Sequence, residues 1–388
     1  MTTNYRMNGT DFDDLFVRKD IFTEGGLWLW GFASFDNTNL DKVSPVQIFG
    51  GGTNWKLIAS SKDTFSDSFS ESHAGIKTDG TLWTWGRNGG GQLGDNTTTH
   101  RSSPAQTISS GTNWKTVSVG SQYTLAIKTD GNLWLWGKND FGQLGTNDIV
   151  HRSSPVQTVA GGINWKQISG GWRHTAGIKT DGTLWLWGYN LLGQLGDNTI
   201  VSKSSPVQTI AGGTTWKQVS CGSYHTAAIK TDGTLWTWGG NGNGVLGDNT
   251  RTHRSSPVQT VAGGTNWKQV SCGDYHISSI KTDGTLWSWG YNNYGVLGDN
   301  TQINKSSPVQ TVAGGTNWKQ VDAHYHNAAV KTDGTLWLWG YNLYGQIGDN
   351  TNLNSKSSPV QTAHVGTNWK MVSAGGYASM GIRGDYWA

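Results

Sequence analysis

The stretch KTDGTLWTWG, residues 77–86, sets two tryptophans two positions apart behind a tight-turn sequence. In an extended strand residues i and i+2 point the same way, so Trp83 and Trp85 share one face and Leu82 and Thr84 the other. Asp-Gly accepts positive φ at little cost, which makes T-D-G the tip of a hairpin. A strand apolar on both faces must be covered on both. The pattern then returns: LWxWG begins at Leu27, Leu82, Leu133, Leu184, Leu235, Leu286 and Leu336. Regular self-similarity at this period is the mark of a repeat architecture.

Two further markers keep the same step. A tryptophan before lysine stands at Trp55, Trp114, Trp165, Trp216, Trp267, Trp318 and Trp369. All seven prolines follow a serine: Pro45, Pro104, Pro155, Pro206, Pro257, Pro308 and Pro359. Each unit reads as four strands, near 217–221, 225–230, 235–239 and 256–260 in one copy, with no helical period. Proline lacks an N–H, so the strand around S-P-V-Q is expected at the outer edge. Stacking the units radially covers both faces of every sheet. The ends complement one another, since 21–31 and 380–387 each match part of one unit's hairpin. The expected fold is therefore all-β: a seven-bladed β-propeller of four-stranded antiparallel blades, closed by pairing of the N- and C-terminal strands. The propeller occupies residues 21–388, and residues 1–20 form an N-terminal arm.

Composition agrees. Of 388 residues, 56 are glycine and 23 tryptophan, and only 14% are charged, against about 25% in an average domain. Disordered chains have few aromatics and high net charge, so disorder is excluded. No stretch reaches the roughly 18 apolar residues of a membrane-spanning helix, and membrane insertion is not expected. The polar start, MTTNYRMNGTDFDDLF, does not read as a secretory signal peptide. Cys221 and Cys272 hold one position in neighbouring units and read as small buried thiols.

The run at 222–248, in which HTAAIKTDGTLWTWG leads into a G-x-x-x-L-G-D-like turn, resembles the regulator of chromosome condensation repeat. The resemblance spans about residues 21–387. It implies a seven-bladed propeller, with roles in that family that range from nucleotide exchange on a small GTPase to enzyme inhibition and scaffolding. The leader YRMNGTDFDDLFVRKD resembles segments that begin some bacteriophage tail and appendage proteins.

A catalytic site is a local, asymmetric constellation, so in a chain of near-identical units it belongs where the units deviate. His73, His174, His225, His276 and His326 are placed at one shared position, with Tyr123 and Ala378 in the other two units; no ligand-spaced Cys or carboxylate accompanies them, and a hydrogen bond within each blade is expected. Rings of lysine and arginine precede T-D-G, follow N-W and precede S-S-P. A net charge of +3 is too small for a phosphate-driven binder, so no specific nucleic acid is expected. No cofactor, metal or catalytic residue is assigned, and the chain is read as non-enzymatic.

Two surfaces, each made of turns, do vary. One lies before the shared position and carries Trp172, Arg173, Tyr224, Tyr275 and Tyr325. The other follows LWxWG and carries Tyr291, Tyr294, Tyr341 and Tyr344. Varied aromatics on turns of a rigid scaffold suit a binding face. In the arm, Phe12, Leu15 and Phe16 are available for docking. The expectation is a bacteriophage virion protein of the tail or its appendages, part of a larger assembly. The arm binds other virion proteins and the propeller face meets a virion protein, or a host-surface glycan or protein. The alternative is a bacterial propeller of the cytoplasm or cell surface that captures a protein partner, as an inhibitor or scaffold does.

Overall fold

The computed structural model of the chain describes residues 25–32, 41–48, 52–62, 71–109, 111–364 and 366–384. The expected arm, with Phe12, Leu15 and Phe16, lies outside them, as do residues 63–70 and Trp387. Every regular element among the described residues is a strand.

The four-strand unit is seen in Trp165–Gly170, His174–Lys179, Leu184–Gly188 and Lys203–Gln208, which pair antiparallel in chain order. Five such sheets stand separately. A sixth sheet has eight strands, two sets of four joined through the single pair Gly25 with Trp55. One of those sets draws on both ends of the chain. Gly25–Gly31 runs antiparallel to Ala378–Gly384 over its whole length, from Gly25 opposite Gly384 to Gly31 opposite Ala378. The proline strand is outermost in each set, where a missing N–H costs least.

The T-D-G turn does two jobs. Asp181 Oδ1 accepts from the Thr183 amide at 2.9 Å and hydroxyl at 2.7 Å, which fixes the hairpin tip. Gly182 has φ +80°, and a Cβ there would lie 2.0 Å from the Thr214 carbonyl oxygen of the next unit. The Gly182 carbonyl in turn accepts from Trp216 N at 3.1 Å. Only glycine lets the hairpin tip lie against the neighbouring sheet.

The doublet tryptophans share a face but not a depth. Trp187 is fully buried and Trp185 half-buried. The Trp187 indole N–H donates to the Gln143 carbonyl of the preceding unit at 2.8 Å. Its ring meets Trp165 edge-on at 5.8 Å and packs on Leu125, Leu133, Leu135 and Leu144 of the preceding sheet. Trp185 instead donates to Thr183 Oγ1 at 2.9 Å and lies under Lys179, whose Nζ is 4.8 Å from that ring and 5.0 Å from Trp165. The clamp is thus the second doublet tryptophan with the tryptophan before lysine; the first is a lid held by a cation. Each fully buried indole removes about 150–250 Å² from water, roughly 4–6 kcal/mol as an upper bound. Seven clusters of this make-up fill the spaces between consecutive four-stranded sets. One sets Trp55 and Trp85 against Leu27, Leu29 and Met380.

The inner strands are stitched by side chains. Gln167 donates to the Val219 carbonyl at 3.0 Å and accepts from its amide at 2.9 Å; Gln218, Gln269 and Gln320 repeat the bond. Ser169, Ser220 and Ser271 accept from the amides of Cys221, Cys272 and Ala323. Ser373 accepts from Ser60 N at 3.0 Å, which carries the row from the last inner strand to the first. Between these strands lies a polar cavity of about 270 Å³, lined by Gln167, Gln218, Gln269 and Gln320 among others. Both cysteines are buried and free, and burial raises their thiols to about 12 for Cys221 and about 11 for Cys272.

Two expectations about the histidines change. Strand register pairs His174, His225, His276 and His326 with the glycine of LWxWG, but in the first unit that partner belongs to Ser72, and His73 lies opposite Trp85. His73 therefore sits one residue along, where the other units carry Thr, Ile, Asn or Ser. The hydrogen bonds also cross between sheets rather than staying within one. His174 Nε2 meets Thr226 Oγ1 at 3.0 Å, and His326 Nε2 meets Ser379 Oγ at 2.6 Å.

Candidate partner-binding face

In a four-stranded antiparallel unit the first and third connections leave the same end. These are the two variable turn sets, so they share one face, and T-D-G lies on the other. Their side chains touch in sequence. Phe141 meets Tyr189 at 5.0 Å, and Trp172 meets Tyr224 at 5.0 Å. Tyr189 joins these pairs, and Tyr224 reaches Tyr275 at 6.2 Å. The chain continues through Tyr291, Tyr294 and Tyr341 to Tyr325 and Tyr377, and ends through Tyr344 on Phe32. Twelve rings thus form one unbroken belt. Arg173 lies across it, its guanidinium carbon 3.7 Å from the Trp172 ring and 4.5 Å from Phe141.

The two surfaces expected from sequence, Trp172, Arg173, Tyr224, Tyr275 and Tyr325 on one and Tyr291, Tyr294, Tyr341 and Tyr344 on the other, are thus a single surface, because the two turns leave the same end of each sheet. Tyr275 and Tyr294 are the most open of the rings, each 38% exposed. Outside the belt, Ile149, Leu191, Ile200, Ile303 and Leu353 leave large apolar side chains exposed.

Three charged groups take roles that the sequence reading did not give them, although Asp274 stands in a varying turn and Lys62 and Glu71 in the one sizeable insertion, at 60–72. Asp274 is buried beneath the belt, where its Oδ1 accepts from the Ser223 hydroxyl and Tyr325 stands close by. Burial lifts its carboxyl to about 7, against the opposing effects of Tyr325 and Lys62. Lys62 Nζ donates to the carbonyls of Cys221 at 2.6 Å and Cys272 at 2.8 Å. Glu71 Oε1 accepts from the amides of Tyr377 and Ala378. Lys62 and Glu71 flank residues 63–70, the one place where this loop lengthens. That break in the repeat was the available signal.

The hydroxyls of Tyr325, Tyr341 and Tyr377 hold their protons. Burial first, then neighbouring tyrosines, raises Tyr341 and Tyr377 to about 12; Glu71 and Asp274 add to the shift at Tyr377. Burial, then Asp274, pushes Tyr325 up further.

The basic rings have local partners. Lysines before T-D-G cover indoles, as Lys77 does over Trp83 at 4.3 Å. Four of those before S-S-P pair with the aspartate of G-D-N, Arg101 with Asp95 at 2.6 Å, Arg254 with Asp248 at 3.1 Å, Lys305 with Asp299 at 3.7 Å and Lys356 with Asp349 at 2.9 Å, and Arg152 pairs with Asp148 at 2.7 Å. Lysines after the tryptophan that opens the first strand, such as Lys166, Lys217 and Lys268, are exposed on the T-D-G side.

Comparison with known proteins fits this architecture. The model of the RCC1-like domain matches residues 69–381. The ultraviolet-B receptor UVR8 of Arabidopsis thaliana is 34% identical over 237 residues, 60% of this chain and 54% of the relative. The mitochondrial RCC1 domain-containing protein RUG3 of the same plant is 30% identical over 253 residues, 62% of this chain and 56% of the relative. The chain spans about half the length of these curated relatives. Among solved structures, Prp20p of Saccharomyces cerevisiae, described with its binding properties to Gsp1p and histones, superposes with a TM-score of 0.82 at 18% identity, covering 94% of this chain and 92% of that one. The fold is thus a propeller of repeated four-stranded antiparallel blades. These relatives are eukaryotic RCC1-like proteins. They overturn the expectation of a bacteriophage tail protein, and with it the virion location. The leader's likeness misled because it is short and lies outside the repeats that carry the family signal.

Proposed function

We propose that this chain, which belongs to the RCC1-like domain family, is a protein-binding module that engages its partner through the aromatic belt. The observation that carries this reading is the merging of both variable turn sets into one continuous surface of rings. Tyrosine and tryptophan give large contact area at low conformational cost and are enriched where partners bind. The protein partners named for Prp20p set a precedent on this fold. The role is binding rather than catalysis. The same reading takes residues 21–388 as one ring of seven blades, closed by Gly25–Gly31 on Ala378–Gly384, with residues 1–20 outside it. The seven clusters and the Ser373–Ser60 bond support that closure.

The test is cross-linking of the tagged full chain to its partner, followed by hydroxyl-radical footprinting of the complex. Tyr224, Tyr275 and Tyr294 are expected to lose reactivity. Combined Trp172→Ser, Tyr224→Ser and Tyr275→Ser substitution should abolish the complex while the chain keeps its melting temperature. Combined Lys166→Glu, Lys217→Glu and Lys268→Glu on the opposite face should leave it intact. The reverse pattern rejects the reading.

A further inference from the structure

Within the belt, Tyr294, Tyr325, Tyr341 and Tyr377 enclose a pocket of about 130 Å³. Tyr294 and Tyr341 stand 4.8 Å apart, Tyr325 and Tyr377 5.6 Å, and Tyr325 and Tyr341 6.0 Å, with planes inclined by 65°, 33° and 56°. The rings thus converge from several directions instead of stacking. Whole small-molecule sites occupy about 300–1,000 Å³, so this pocket suits one head group on a longer chain.

We propose that these four tyrosines receive an alkylammonium group, the charged head of a lysine-type side chain on the partner. An aromatic ring carries negative charge on its face and attracts a cation within about 6 Å of its centroid. Phenolic oxygens also accept hydrogen bonds from ammonium N–H groups. The charged groups next to the pocket favour the same sign. Asp274, which is ionised above about pH 7, neighbours Tyr325 and Tyr377, and Glu71 Oε1 accepts from the Tyr377 amide. Among the described residues, the base beside these acids is Lys62, whose ammonium is engaged by the Cys221 and Cys272 carbonyls. An apolar head group would fill the volume but leave the acids' field unused. The fold already uses this contact: Lys77 and Lys331 each cap two indoles at 4.3–5.1 Å.

The inference rests on the aromatic belt being the partner-facing surface, and its test needs no partner. Choline and its uncharged isostere 3,3-dimethylbutanol are titrated into the full chain and followed by calorimetry and tyrosine fluorescence. Choline should bind about 3- to 10-fold more tightly than the isostere. Tyr341→Ala should remove that preference, and Asp274→Asn should weaken it. If Tyr341→Ala fails to fold, Tyr294→Ala at the exposed rim takes its place. Butylammonium in parallel separates an unmodified head from a methylated one, and a preference for either cation over the isostere supports the site. Equal binding of choline and the isostere, or none of either, overturns it. Loss of the cross-linked complex in the Trp172, Tyr224 and Tyr275 variant with choline binding intact would count for the face and leave the pocket judged by its own titration.

Discussion

A histidine sealed inside protein is held neutral, because burying the imidazolium costs far more than burying the imidazole. His73, His174, His225, His276, His324 and His326 are all in this state: burial lowers His73, His174 and His326 to about 3 and His276 to about 4, and takes His225 and His324 well below 6.5. Their folded pKa values lie below the unfolded value of about 6.5, so the unfolded chain binds more protons between those limits. Stability is complete above pH 6.5 and falls as pH drops toward 3–4. Asp274 has the opposite sign, since its raised carboxyl costs stability as pH rises from 3.8 to about 7. Six groups outweigh one, and urea midpoints should fall from pH 7.5 to pH 5.5; a flat profile would show the histidines to be solvated. The buried, raised thiols of Cys221 and Cys272 should resist a thiol reagent in the native protein and react on unfolding, and prompt native labelling of either would contradict the packing. A tryptophan or proline marker locates a strand from sequence, but a histidine's partner does not follow from its own segment. That is why the bond from His174 to Thr226, 52 residues away, was expected within one blade.

At the scale of the strand, LWxWG carries two tryptophans of unequal weight. Trp187→Ala removes a fully buried ring and its bond to Gln143, and should cost about 3–5 kcal/mol. Trp185→Ala removes a half-buried ring and its contact with Lys179, and should cost no more than about half of that. Urea denaturation of the two variants gives the ranking, and equal losses would contradict it. Period-two alternation told which face each ring takes. It did not tell depth, because depth depends on where along the strand the neighbouring sheet ends. The inner-strand glutamines are similar. Gln167 reads as an ordinary polar position, yet it makes two bonds to the backbone of Val219. Strand parity also places both variable turn sets on one face, so their union was legible before any coordinates. Their contact ring to ring was not.

For the whole molecule, both chain ends feed one sheet. Gly25–Gly31 has Ala378–Gly384 on one side, and Trp30 donates to the Gln346 carbonyl of the preceding unit at 2.8 Å. Ending the chain after residue 376 removes the central partner of that set and opens two large apolar faces. The truncated chain should melt well below the full one and associate in solution, as light scattering and calorimetry would report. Equal melting of a monomeric truncation would show that the end-to-end pairing carries no load. Repeat proteins gain stability from neighbour interfaces, so the loss should spread to the sheets on both sides of the gap.

Sequence by itself determined the unit, its four strands, its hairpin tip and its outer edge. Each follows from turn chemistry and period-two patterning within about fifty residues, where the backbone is its own template. Tertiary structure alone decided which side chains from different units meet: the belt of rings, the histidine bonds between sheets, and the placing of Asp274, Lys62 and Glu71 beneath the tyrosines. The histidine bonds join residues 51 to 53 positions apart and most of the belt contacts join different turns, so their distances depend on how far one sheet turns relative to the next, which no local pattern encodes.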